Sequence, residues 1–245
     1  MEWVEWQPIY LDIVKRLELD INRDREATAL LTEILKDTDP QFLLQQLRAS
    51  IEGRSVVICG AGPSLGRQLQ NLKTSTNLAS LVIVAADGAV SALLDHDIRC
   101  DVVATDLDGD VEHLKEMKQR GAILVVHAHG DNMDVVRFVV PELGEVLGST
   151  QVEPTDRTFL WGGFTDGDRA CHIVNEYNPE KIILAGMDFG DLVGSWSKPD
   201  HDSHFTADWR KRVKLEIAEE LITGLLERTG VDHIFLNSTD EASLQ

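Results

Sequence analysis

Three carboxylates alternate within Thr105-Asp106-Leu107-Asp108-Gly109-Asp110. In an extended chain, alternate side chains point the same way, so these acids would converge on one spot. Their mutual repulsion calls for a cation, and Mg²⁺ takes oxygen ligands and bridges carboxylates to substrate phosphates. The competing reading is a capped turn, with Asp110 opening a helix over 111–119. An EF-hand is excluded, because the glycine falls inside the triplet and the downstream glutamate pattern is absent. We expect Asp106 and Asp108 to be metal ligands, and Asp110 to serve partly as a helix cap.

Five further motifs carry polar chemistry. Gly60-Ala61-Gly62-Pro63-Ser64-Leu65 gathers backbone N–H groups at a helix start, which suits a phosphate. It is neither a GxGxxG fingerprint nor a P-loop, and a plain tight turn remains the alternative. Asp87-Gly88-Ala89 offers a carboxylate for a ribose, a heterocycle or a metal, or else a helix cap. In His127-Ala128-His129-Gly130-Asp131-Asn132 both histidines would share one face, and Asp131 could join the acidic cluster. No further Cys or His ligands appear at zinc spacing, so a substrate or phosphate contact is preferred there. Gly162-Gly163-Phe164-Thr165-Asp166-Gly167-Asp168-Arg169 combines acids with an arginine suited to phosphate. Gly186-Met187-Asp188-Phe189-Gly190 could line a flat aromatic substrate. Lys198 and the run Arg210-Lys211-Arg212-Val213-Lys214 either clamp phosphates or form a solvated helix face.

These motifs need a common platform, and the spacing of apolar residues supplies one. Runs at 55–59, 81–85, 101–104, 122–126 and 181–185 read as strands, and each ends in glycines and polar residues. Helix-like segments follow most of them. The pattern is a Rossmann-like α/β fold, a mostly parallel sheet with helices on both faces, whose ligands bind beyond the carboxyl ends of the strands. Weaker strands are expected at 146–152, 158–160 and 233–236, and a long helix at 210–226. Residues 1–50 show only helix spacing, and no constellation there suggests chemistry. We therefore expect an N-terminal helical segment, 1–50, and a Rossmann-like catalytic domain, 51–245.

Composition narrows the partners. The 245 residues, 43% hydrophobic, suffice for one good-sized α/β domain with a small appendage. Forty-two acidic against 23 basic residues give a net charge of −19. Such a surface repels nucleic acid and anionic membranes, and we expect neither as a partner. It also repels free ATP unless a bound cation reverses the local potential. Cys59, Cys100 and Cys171 show no pairing pattern, which points to a reducing compartment. No signal peptide opens the chain, and no run approaches the ~18 apolar residues of a membrane span. We expect a cytoplasmic protein acting on small molecules, with a homodimer left open.

Taken in order, GAGPSL, AADGA, TDLDGD, HAHGDN, GGFTDGDRA and GMDFG resemble the archaeal 6-hydroxymethyl-7,8-dihydropterin pyrophosphokinase family of methanopterin and tetrahydrofolate synthesis. The motifs run from Gly60 to Gly190, and TDLDGD with HAHGDN is the specific pair. The resemblance implies that the pterin hydroxymethyl oxygen attacks the β-phosphorus of ATP and that AMP leaves, with Mg²⁺ neutralising the phosphates. By position, Asp106 and Asp108 would hold the metal, and Asp106, Asp108 and Asp131 would form the catalytic set. Gly60, Gly62, Pro63, Ser64, Asp87, Gly88, His127, His129, Asn132, Thr165, Asp166, Asp168 and Arg169 would contact the nucleotide or its phosphates. Phe164, Asp188 and Phe189 would lie near the pterin. The acidic motif is also similar to that of thiamine pyrophosphokinases, and a related module occurs in motility-associated glycosyltransferases of bacteria. A different diphosphotransferase, a nucleotide-sugar transferase and a non-catalytic nucleotide or metal sensor therefore stay open.

Overall fold

The computed structural model describes residues 1–198 and 201–236. Three helices open the chain: α1 (Trp3–Leu17), α2 (Ile21–Ile34) and α3 (Gln41–Ile51). Strands and helices then alternate through β1 (Ser55–Cys59), α4 (Leu65–Ser75), β2 (Val82–Ala86), α5 (Ala89–Asp95), β3 (Val102–Thr105), α6 (Val111–Gln119), β4 (Ile123–His127) and α7 (Met133–Leu143). Two short strands, β5 (Leu147–Ser149) and β6 (Thr158–Phe159), precede α8 (Asp166–Glu176) and β7 (Lys181–Ala185). A small hairpin, β8 (Leu192–Val193) and β9 (Phe205–Thr206), leads into α9 (Trp209–Thr229) and β10 (Asp232–Phe235).

Eight strands form one sheet in the order β10-β7-β1-β2-β3-β4-β5-β6, every pairing parallel. Both faces are covered, which is why the strands read as unbroken apolar runs and not as alternating ones. In β1, Val57 and Cys59 pack with Leu65, Leu69 and Leu72 of α4, while Val56 and Ile58 pack with Ala170, Ile173 and Val174 of α8. From β1 the chain winds outward to β6, then returns to place β7 on the other side of β1. That reversal makes β1/β7 the topological switch point, where such sheets open a crevice at the strands' carboxyl ends.

The N-terminal helices share these cores. Trp6, Tyr10, Ile13 and Leu17 of α1 pack against Val152, Leu160 and, on α9, Ile217. Ala27 and Leu31 of α2 join one face of the sheet, and Leu47 and Ile51 of α3 the other. In α3, Phe42 is exposed while Leu47 and Ile51 are buried. The pairing of β8 with β9 is a feature the sequence pattern did not signal, since two-residue strands carry no usable periodicity. The hairpin folds back over the switch point, where a Cβ on Gly194 would come within 2.7 Å of the Gly62 backbone. Among the described residues, no helix is long and apolar enough to cross a membrane.

Candidate active site

The ends of β2 and β3 bring acids together. Asp87 follows β2 and is buried, while Asp106 and Asp108 follow β3. One carboxylate oxygen from each of Asp87, Asp106 and Asp108 lies within 4.8 Å of the others. The 105–110 segment achieves this without the extended geometry that alternation implies. Leu107 turns into the left-handed region at φ 66°, a strained choice for a branched side chain. Its N–H donates to Thr105 Oγ1 at 2.8 Å, and the Asp108 N–H donates to Asp106 Oδ1 at 3.2 Å. Asp110 takes no part: its carboxylate accepts from the N–H groups of Glu112 (2.9 Å) and His113 (3.2 Å) as the cap of α6.

The cluster is electrostatically unfinished. Asp87 Oδ2 accepts from Thr105 Oγ1 at 2.6 Å and from Gly109 N at 3.2 Å, but its buried Oδ1 has no partner among the described residues. Burial and the charges of Asp106 and Asp108, opposed by those hydrogen bonds, push Asp87 up to about 7. A fourth carboxylate, Asp166 at the start of α8, is driven well above its ordinary range by burial and by the charges of Asp106, Asp87 and Asp108. Asp106 goes the other way. Burial opposes its charge, yet the hydrogen bond from His129 and the charges of His129, Lys198 and Lys214 outweigh that and bring it to about 2. The Asp131 N–H donates to His129 Nδ1 at 3.3 Å, and His129 Nε2 lies 3.5 Å from Asp106 Oδ2.

A cleft partly open to solvent joins this cluster to the switch point. Its walls include Gly60, Gly62, Gly88, Gly186, Met187, Phe189 and Val193, with Lys198, Lys211 and Lys214 facing the acids. Gly60 and Gly62 are required by the close approach of β1 to β7: Gly62 N donates to Gly186 O at 2.9 Å, and a Cβ on Gly60 would meet that carbonyl at 2.7 Å. Lys198, on the hairpin, pairs with Asp108. Burial and the charges of Lys214 and Lys198 pull Lys211 below the usual lysine range, the mark of cations crowded where an anion would relieve them.

Residues 27–194 match the model of a family described as 6-hydroxymethylpterin diphosphokinase MptE-like. A Pyrococcus furiosus protein is 44% identical over 227 residues, covering 92% of this chain and 94% of its own length. Proteins from Methanocaldococcus jannaschii (37% identical; 96% of this chain, 100% of theirs) and Methanothermobacter thermautotrophicus (38%; 93% and 95%) match as fully. All three are named 6-hydroxymethyl-7,8-dihydropterin pyrophosphokinase. This chain belongs to that family. Among solved structures, the MAf glycosyltransferase from Magnetospirillum magneticum AMB-1 aligns with TM-score 0.48 and 17% identity, over 82% of this chain and 39% of that one.

Within this pterin diphosphokinase-like chain, the expected residues divide into groups. Asp87, Asp106, Asp108, Asp166, Gly60, Gly62 and Gly88 gather around the first cleft or its floor. Ser64 does not offer its amide to that cleft: its N–H and Oγ both donate to Asp188 Oδ2, at 2.9 and 2.8 Å, and neither Pro63 nor Ser64 lines it. The helix start expected to take a phosphate thus already holds a carboxylate. Thr165 and Asp168 line the first cleft, but Asp168 is spent on the turn itself. It accepts from the N–H groups of Phe164 (3.0 Å), Thr165 (2.6 Å) and Arg169 (3.1 Å) and from Thr165 Oγ1 (2.8 Å). Arg169 is buried, lines neither this cleft nor its neighbour, and donates to Phe164 O at 3.0 Å. Its charge backs Asp168, Asp166 and Asp106 from inside.

His127 is buried between Ser149 Oγ (3.3 Å) and Gln151 Oε1 (3.4 Å), and burial, with the charges of Arg169 and His129, holds it neutral. Asn132 buckles two loops together, donating to Asp106 O (2.7 Å) and His127 O (2.8 Å). Asp131 is exposed and lines a second cleft, outside the carboxylate cluster. That second cleft also uses Glu18, Leu19, Asp20, Arg23 and Asp24, from a segment whose spacing suggested no chemistry. One signal was available: carried back from Leu31, the helix spacing that buries Thr28 and Ala27 puts Asp24 on the apolar face of α2.

Proposed function

We propose that this chain transfers diphosphate from ATP to the hydroxymethyl oxygen of 6-hydroxymethyl-7,8-dihydropterin, releasing AMP, as a Mg²⁺-dependent step of tetrahydromethanopterin- or folate-type pterin biosynthesis. The observation that carries this reading is the convergence of Asp87, Asp106 and Asp108 beside a lysine-rich cleft, in a member of this family. The residues fit the ion. Three hard oxygen donors lie within reach of one another, and the buried Asp87 Oδ1 has no other partner among the described residues. Asp87, Asp106 and Asp108 would hold Mg²⁺, which when bound supplies charge neutralisation for the phosphates.

The remaining work falls to the chain's own groups. Lys198, Lys211 and Lys214 supply cations for the phosphate oxygens, and the glycine walls let the nucleotide approach the backbone. In the transfer, the hydroxymethyl oxygen bonds to the β-phosphorus, the bond from that phosphorus to the α-bridging oxygen breaks, and AMP carries the electron pair away. The hydroxyl proton passes to a carboxylate, for which Asp166 is suited because it borders both clefts. The free, buried thiols of Cys59, Cys100 and Cys171 favour a reducing, cytoplasmic setting. The test is AMP formation from ATP, measured with and without Mg²⁺ and the hydroxymethyl pterin. AMP that requires both is expected. AMP only with thiamine, or nucleotide release only from a nucleotide sugar, would move the chain to another transferase class, and saturable binding without turnover would make it a sensor.

A further inference from the structure

A transfer between two substrates needs two sites whose reacting ends touch. Two clefts open along the carboxyl edge of the sheet, and the residues lining both are Asp106, Phe164, Asp166 and Lys214. They therefore meet at the acidic cluster. The second cleft lies between the α1–α2 corner, the turn after β4 and the start of α9.

The two differ in what they offer a ligand. The first has glycine walls and lysines that crowd one another. In the second, the arginines are already engaged: Arg23 Nη2 donates to Gly130 O at 2.7 Å and Arg210 Nη1 to Leu17 O at 3.0 Å. Its exposed groups include the carboxylates of Glu18 and Asp131. Those guanidiniums have fewer N–H groups left for a polyphosphate, and the exposed carboxylates accept hydrogen bonds from a neutral, donor-rich heterocycle. A pterin ring presents an amide N–H, an exocyclic amine and a further ring N–H. At the junction stands Phe164, with Lys214 Nζ 5.9 Å from its ring centroid, a flat wall for a flat ligand. Of the other groups expected near the pterin, Asp188 is engaged by Ser64, and both Asp188 and Phe189 line the first cleft.

We propose that the second cleft holds the pterin ring and the first holds the nucleotide, with the hydroxymethyl group crossing to the cluster between Asp106 and Asp166. This rests on the reaction proposed above and adds which cleft takes which substrate. It also gives the α1–α2 corner a role, as the outer wall of the pterin site.

The test measures pterin and Mg²⁺–ATP-analogue binding by calorimetry, and both KM values, in wild type and three variants. Leu19→Trp fills the second cleft from its corner, Asp131→Asn alters an exposed acid there without threatening the fold, and Lys211→Ala removes a cation from the first. We expect Leu19→Trp to weaken pterin by about tenfold or more and Asp131→Asn by about threefold, each sparing the nucleotide, and Lys211→Ala to weaken the nucleotide by about tenfold and spare the pterin. The opposite pattern, or pterin binding untouched by both second-cleft variants, overturns the assignment while leaving the reaction standing. Wild type that binds no pterin at all overturns the reaction and the assignment together.

Discussion

Asp24 and Asp87 are buried alike, 5% and 3% exposed, and they do opposite things. Asp24 is saturated. Its Oδ1 accepts from Gly130 N at 2.7 Å, and its Oδ2 accepts from Gln151 Nε2 at 2.7 Å and from the Tyr10 hydroxyl. It ties α1, α2 and the turn after β4 into one piece. Asp87 has one oxygen satisfied and the other without a partner among the described residues. Within one turn of α8 the buried Asp168 accepts four hydrogen bonds, while the half-buried Asp166 accepts none from the described residues. Acidity and burial alone do not separate a carboxylate tied into the fold from one with an oxygen to spare. Hydrogen-bond saturation does, because a buried oxygen without a donor costs free energy that only a ligand or a proton recovers.

The sharpest way to break this contrast is to neutralise one acid of each kind. Asp106→Asn should lower kcat by about 10²–10³-fold, as loss of one preorganised electrostatic group does, with weaker Mn²⁺ or Mg²⁺ binding and no drop in melting temperature. Near-normal turnover would remove Asp106 from the site. Asp24→Ala should instead cost about 3 kcal/mol of stability in denaturant titration, because it strands the Tyr10 hydroxyl, the Gln151 amide and the Gly130 N–H. Unchanged stability with a selective rise in one KM would make Asp24 a ligand contact and erase the distinction.

How far this contrast was legible in the sequence follows from what local spacing encodes. The five central strands stand within a residue or two of where the apolar runs put them, and α6 covers the expected 111–119. Both follow from burial on two faces or one, which leaves a periodic trace. Asp106 and Asp108 were visible as a pair because they sit on one segment. Asp87 joins them through parallel register between β2 and β3, with Ala86 opposite Ala104, and a pairing between distant segments leaves no local spacing. Asp168 misled in the other direction. A run rich in Gly, Asp and Arg looks like a site, yet its second acid closes a capping box with Thr165. Sequence reveals where carboxylates are, while the count of donors reaching each oxygen belongs to the folded chain.

A smaller effect, of opposite sign to that at Asp24, is expected at Asp87. Its pKa rises on folding from the ordinary aspartate value of about 3.9 to about 7. For a carboxyl raised in this way, the folded state binds its proton more tightly than the unfolded state. The penalty is absent below about pH 3.9, grows as pH rises toward 7 and is complete above it. Asp87→Asn removes that penalty and keeps an oxygen for Thr105 and Gly109. The metal-free variant should therefore gain about 1–3 kcal/mol over wild type at pH 8, and the gain should vanish near pH 4. A loss of stability at pH 8 would mean that Asp87 builds the fold as Asp24 does.

The same proton sets the smallest and most specific effect. A divalent ion needs Asp87 charged, so binding must displace its proton wherever one is held. Below pH 7 the apparent Mg²⁺ affinity of wild type should fall by about tenfold per pH unit, one proton released for each ion bound, and it should level off above pH 7. Calorimetry in two buffers of different ionisation enthalpy counts that proton directly. Asp87→Asn should bind the ion more weakly and lose this slope over pH 5–7, because Asp106, held near 2 by its contact with His129 and the lysine charges, is already ionised throughout that window. If the slope survives in Asp87→Asn, the proton belongs to Asp166, and the vacant oxygen of Asp87 is not the one the metal takes.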